Sequence, residues 1–281
     1  MREKVVGGAN LSPKELADEW RSANDHYYEL EESEAGIADE IECRELDRCL
    51  LPLAEQVRAS PWFRRAFDTL PITLAMVELD RLVVFQPNVT LDFVHDLKRR
   101  LGADPDPRSL FRFCIPLERP ESPVTLHRLG SRRYQVSSES ADFRFLEAAV
   151  FRADQISDYE PHGRIGAVIG AVVGFGSNFL NVIRDENKRI LLNNGYHRAV
   201  ALRDLGITHA PCIIQEVTRR DELAVAAGST VNRTPFFYFG KKRPPLLKDF
   251  FDPRIRKILP VRRIRRVVEI EIEVRKFDLL E

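Results

Sequence analysis

An α+β fold is predicted by three changes of hydrophobic period along the 281 residues. The N-terminal region carries a helix start signal, and residues 268–274 alternate strictly between apolar and charged, as a half-buried strand does. Between them, residues 178–217 read as strand, turn, strand, tight connection, helix and strand. This last stretch organises the rest.

Taken in order, Ser12-Pro13-Lys14-Glu15 has the residues of an N-cap, a first-position proline and an acidic first turn. Helical spacing follows through Leu16 and Trp20 and resumes over residues 37–57, where Pro52 is expected to kink or split it. Residues 1–59 are thus read as an acidic helical arm. Residues 60–142 form a mixed α/β region of unassigned role. They contain a short helix near Trp62, strands over 72–79 and 82–85, and a helix from Thr90 to a glycine stop at Gly102. Asp104-Pro105-Asp106-Pro107 is a loop, and residues 110–115, 124–129 and 133–137 look like further strands.

A third segment, residues 143–225, opens with a strand candidate at 143–151. Gly166, Gly170 and Gly174 then recur every four residues, which on a helix would share one face and allow close packing. No Gly-Lys-Ser/Thr follows, so a P-loop is excluded. Phe179-Leu180-Asn181-Val182-Ile183 and Arg189-Ile190-Leu191-Leu192 are strands around a polar turn, and Asn193-Asn194-Gly195 ends the second. Helical spacing runs from His197 to a C′ glycine at Gly206, and Pro211 leads a buried strand. Residues 226–281 are a basic C-terminal extension ending in a strand, with aromatic Phe236-Phe237-Tyr238-Phe239 beside Lys241-Lys242-Arg243.

Formal charge is zero overall, which hides an asymmetry. Residues 1–55 hold fifteen acids against six Lys/Arg, and residues 241–266 hold eleven Lys/Arg against two acids. The two ends can attract each other within one chain or between two, the latter giving a homo-oligomer. The acidic patch is otherwise a solvated face. Arg262, Arg263, Arg265 and Arg266 are the best nucleic-acid candidates. Cys43, Cys49, Cys114 and Cys212 lack metal-ligand spacing and read as reduced thiols of a cytoplasmic protein. No signal peptide is expected at the N-terminus, and the apolar stretch 165–175 is about half of what a bilayer span requires. No membrane association or resident metal site is expected.

The chemistry concentrates at Asn194-Gly195-Tyr196-His197-Arg198. Glycine at a strand-to-helix turn lets backbone approach a ligand, and the first helical turn offers unpaired N–H groups and a positive dipole end. A histidine and an arginine at the same spot add a titratable ring and a permanent cation. That combination suits a phosphate.

These residues, with the strand before them and the Leu-Gly and proline-led strand after, resemble the ParB/sulfiredoxin-like superfamily, which includes sulfiredoxin, free-serine kinases and the nucleotide-binding domain of ParB. The resemblance covers residues 144–217, about a quarter of the chain. It implies that Asn194, Gly195, Tyr196, His197 and Arg198 bind the phosphates of ATP or CTP with Mg²⁺. It also implies that Glu160, in Tyr159-Glu160-Pro161-His162, matches a catalytic glutamate of the free-serine kinases. Catalytic roles would then fall to Glu160, His197 and Arg198. Three departures matter. Tyr196 stands where sulfiredoxin has its reactive cysteine, which excludes sulfinic-acid reduction. The Gly-Glu-Arg-Arg of ParB is not reproduced, and Asn194 replaces the aspartate of the kinases.

Two functions are therefore expected. The first is a nucleotide-binding protein acting as a phosphotransferase or nucleotide hydrolase. The alternative is a non-catalytic, ParB-like DNA-associated regulator using its C-terminal basic segment. An inherited turn whose activity has been lost is the third state compatible with Asn194.

Overall fold

The computed structural model describes residues 5–7, 12–118, 123–140, 143–156, 163–176, 178–262 and 265–279. In chain order the strands are β1 (Cys43–Arg44), β2 (Ile72–Glu78), β3 (Thr125–Arg128), β4 (Arg133–Ser138), β5 (Phe143–Phe151), β6 (Val168–Phe175), β7 (Asn181–Arg184), β8 (Ile190–Asn194), β9 (His209–Glu216) and β10 (Arg266–Glu271). The helices are α1 (Pro13–Ser33), α2 (Leu51–Ala59), α3 (Pro61–Ala66), α4 (Leu91–Leu101), α5 (Pro107–Cys114), α6 (Tyr196–Asp204), α7 (Arg220–Ala226), α8 (Ser229–Arg233) and α9 (Pro235–Phe239). Open sheets and helices mix as an α+β protein requires. Contacts divide the chain into one unit of Met1–Arg119 with Asn178–Pro260 and another of Pro120–Ser177 with Val261–Glu281. That division cuts across the four consecutive segments read from the sequence.

The first unit is built on a five-stranded sheet in the order β1-β2-β9-β7-β8. Strand β9 is its middle. It pairs antiparallel with β2 and parallel with β7, and it carries a run of buried residues because both faces of the sheet are covered. Alternation along β8 divides the two cores: Ile190 and Leu192 face one, Leu191 the other. The outer edge of β8 is closed by residues 82–84. Val83 donates its N–H to the Ile190 carbonyl (2.9 Å) and accepts from Leu192 N–H (2.8 Å). Val84 in turn donates to the Pro245 carbonyl (2.9 Å), so no bare edge is left there.

The second unit holds a three-stranded antiparallel sheet, β10-β4-β3, and a β5–β6 ribbon. Val268, Val136 and Leu126 lie in one cross-strand row of the sheet. The ribbon slips register between Phe145 and Glu147.

Four local expectations are corrected. Residues 165–174 do not form a helix. Val168–Phe175 is strand β6, and Gly170 lies beneath the Phe151 ring, which a Cβ there would meet at 2.7 Å. The glycine does serve close packing, but in a strand rich in β-branched residues. Residues 110–115 are not a strand but the end of α5, because the Asp106 side chain accepts from Arg108 N and Ser109 N and Pro107 occupies the first turn. The helix expected over 37–57 is replaced by turns, β1 and then α2, with Pro52 in its first turn instead of at a kink. Phe143–Phe151 belongs to the ribbon and is not a strand of the sheet that carries the Gly195 turn.

The charged ends find each other inside one chain. Arg243, fully buried, pairs with Asp249 (2.6 Å) and with Glu34 (3.0 Å). Lys248 also binds Glu34 (2.7 Å), Lys241 binds Glu31 (3.3 Å), Arg254 binds Glu29 (3.1 Å), and Lys257 binds Glu19. His26 sits between Glu29 (Nδ1, 3.1 Å) and Asp252 (Nε2, 2.8 Å). Arg189 reaches Asp39 (2.5 Å) and the Lys241 carbonyl (2.6 Å). Of the two pairings the charge asymmetry allows, the one within a single chain is made by five basic residues, Lys241, Arg243, Lys248, Arg254 and Lys257. All four cysteines are free thiols, with Cys114 and Cys212 buried. Among the described residues no helix is long and apolar enough to cross a membrane.

Candidate functional site

Asn194 closes β8 and Gly195 begins α6 with φ of 97°, a conformation glycine adopts without penalty. A Cβ at Gly195 would also lie 2.5 Å from Leu180 Cδ1, so the turn is pressed against β7's entry. The Asn194 side-chain oxygen accepts the Gly195 N–H (2.9 Å). The amides of Tyr196, His197 and Arg198 then head the helix with no intrahelical acceptor.

Neighbouring α4 completes the arrangement. Thr90, its N-cap, donates its N–H to His197 Nε2 (3.0 Å), and Lys98 in its last turn pairs with Asp204 at the end of α6. Contacts at both ends mean that the two helices run side by side in the same direction. Their positive dipole ends therefore meet at His197. Phe93 stands edge-on to the imidazole, ring centres 5.1 Å apart, and is itself exposed. Asp92, exposed in the first turn of α4, supplies a negative charge at the same end.

The five residues read from sequence take different places. Asn194, Gly195 and His197 are half-buried at the surface. Tyr196 points inward and is a correction: its hydroxyl donates to the Leu192 carbonyl (2.7 Å) and accepts from Phe85 N (3.0 Å) and Gln86 N (3.4 Å). That hydroxyl ties the 82–86 segment to the end of β8. Burial pushes the phenol well above its ordinary pKa, so it stays neutral. Arg198 is also buried, its Nη1 3.5 Å from the Cys114 carbonyl at the end of α5. Its charge lies beneath the turn and faces the negative end of that helix. Burial carries the neighbouring Cys114 thiol up to about 12, against the pull of Arg198. Burial first, and Arg198 second, hold His197 below the usual histidine range.

Glu160 and the segment around it lie outside the described residues, as does Arg263. Arg262, Arg265 and Arg266 are exposed, and Arg265 lies 3.4 Å from Glu139. Among the described residues no group of three or more His, Cys, Asp or Glu is placed to hold a metal ion. Sequence reasoning missed Thr90, Phe93 and α4 as neighbours of the turn. A helix start at Thr90 was readable, but nothing local said that it would pack beside α6.

Compared with protein-family models, curated proteins and solved structures, the chain matches none.

Proposed function

We propose that the protein binds the phosphates of a nucleotide at the Gly195 turn and uses it as a phosphotransferase or nucleotide hydrolase. The observation that carries this reading is the meeting of the α4 and α6 N-terminal ends at His197, above the buried Arg198 guanidinium. The two positive dipole ends, with the buried Arg198 charge close by, favour an anion at this half-buried turn, against the exposed Asp92 carboxylate at the same end. Asn194, Gly195 and His197 are the ligand-facing residues in this reading. Arg198 contributes its field from below, and Tyr196 anchors the turn. ATP and CTP are the nucleotides proposed. Mg²⁺ would enter with the phosphates, since it is commonly held by substrate oxygens and few protein ligands.

Transfer of a phosphoryl group depends mainly on positioning and on stabilising charge at its oxygens. The α6 amides and His197 supply that here. A base for the attacking hydroxyl or water is assigned to Glu160 only through the resemblance. The test is calorimetric titration of ATP and CTP, with Mg²⁺, into the wild type and His197→Ala, together with a search for phosphate release. Saturable binding weakened by the substitution supports the reading, and heat of dilution alone in the wild type removes it.

The DNA-regulator alternative gains less support. Lys241, Arg243, Lys248, Arg254 and Lys257 are each paired with an acidic side chain of the same chain, which lowers the charge available to a phosphate backbone.

A further inference from the structure

We propose that the Thr90 amide is a positioning group that fixes His197 as an Nδ1-protonated, neutral imidazole, making the ring a hydrogen-bond donor to the bound anion and not a base. The inference rests on the phosphate reading for the identity of the anion, but the tautomer itself follows from one contact. A backbone N–H can only donate. At 3.0 Å it therefore requires a lone pair on His197 Nε2. A neutral ring with Nε2 unprotonated carries its proton on Nδ1. Protonating Nε2 would set two donors face to face, so both the other tautomer and the imidazolium are disfavoured by the same bond.

The rest of the surroundings agree. Burial and the Arg198 charge also oppose a cationic ring. His197 is only half-buried, and among the described residues its Nδ1 makes no hydrogen bond. The Phe93 edge, at 71° to the imidazole, restricts the ring plane from the α4 side. The helix thus supplies a preset donor whose proton needs no reorganisation when an oxyanion arrives. It follows that His197 does not abstract the proton of an attacking group; that step falls to another residue.

Long-range ¹H–¹⁵N correlation spectra of the ¹⁵N-labelled full chain at pH 7 test this directly, alongside ATP titrations of Thr90→Pro and Thr90→Ala. Proline removes the donor at a position whose φ of −90° it can approach, while alanine keeps the N–H. We expect the Nδ1–H form alone in the wild type and Thr90→Ala, and a mixture of tautomers in Thr90→Pro. ATP affinity should fall in Thr90→Pro by the reciprocal of the remaining Nδ1–H fraction, about twofold to fivefold for a mixture, and stay unchanged in Thr90→Ala. A wild-type ring that is Nε2–H or doubly protonated overturns the proposal, and this reading holds even if Thr90→Pro does not fold. So does a folded Thr90→Pro that keeps both the tautomer and the affinity. An Nδ1–H ring in a wild type that binds no ATP supports the tautomer assignment and instead removes the phosphate reading.

Discussion

The guanidinium of Arg243 is fully buried and grips Asp249 with two parallel hydrogen bonds, Nη1 to Oδ2 at 2.7 Å and Nη2 to Oδ1 at 2.6 Å. The same side chain reaches Glu34 in the segment that ends α1, and its charge lies 5.2 Å from the Tyr27 ring centre. A buried cation of this kind is tolerable only because its donors are matched. Replacing Arg243 with Ala should therefore cost about 3–5 kcal/mol, because Asp249 and Glu34 are left without their partner. Chemical denaturation of the variant checks this, and a cost near zero would mean that α1 is not held by the pair.

His26 gives the docked ends a pH dependence of defined sign. Hydrogen bonds to Glu29 and then Asp252 raise its pKa above 6.5. A raised folded-state pKa contributes stability that is fully present below the unfolded value and is lost as pH rises through the folded one. Glu29, lowered chiefly by its bond to His26, behaves oppositely, and its contribution fades as pH falls below the ordinary carboxylate range. The α1 contact should thus be firmest in mildly acid solution and weaken as pH climbs above 6.5. In His26→Ala the decline on the alkaline side should vanish, as measured by denaturation midpoints across pH.

At Gly195 both backbone and space resist substitution. Alanine would have to hold a φ of 97° and place its Cβ 2.5 Å from Leu180 Cδ1 and 3.1 Å from Leu180 Cα. We expect Gly195→Ala to lose about 2–4 kcal/mol, combining left-handed strain with overpacking. Thermal unfolding reports it, and a neutral substitution would contradict the turn geometry.

Tyr196→Phe separates anchoring from ligand binding. Removing the hydroxyl leaves the Leu192 carbonyl and the Phe85 and Gln86 amides without it, at a cost of about 1–3 kcal/mol. Nucleotide affinity of the folded variant should remain that of the wild type. A large loss of affinity with little loss of stability would return Tyr196 to the ligand.

Much of the first unit was legible because local signals agreed. Both strands flanking the turn at 185–188, the glycine at 195, the helix stop at Gly206 and the proline-containing strand β9 lie where their residues place them. Thr90 and Gly102 bounded α4 for the same reason. Legibility failed where two signals competed. The four-residue glycine spacing suggested a helix, although the intervening valines and isoleucine favour β6. At 110–115 the apolar run hid the cap at Asp106. Around the turn, the positive φ of Gly195 was readable from residue type, whereas the inward turn of Tyr196 and Arg198 was not. Every aromatic or cation beside a helix start can face either way, and only the packing of Leu192, Phe85 and Cys114 decides it. Likewise the acidic and basic ends were visible as opposites, but their pairing within one chain is a tertiary outcome.

The central claim is that an anion belongs at the Gly195 turn, and unfolding of the wild type and His197→Ala with ATP or CTP and Mg²⁺ tests it most directly. A ligand specific to the folded state at a hundredfold excess over its dissociation constant should stabilise the wild type by about 2.7 kcal/mol. His197→Ala should gain clearly less at the same concentration. Unfolding curves of the wild type that superimpose with and without millimolar ATP, CTP or pyrophosphate would contradict a phosphate site there.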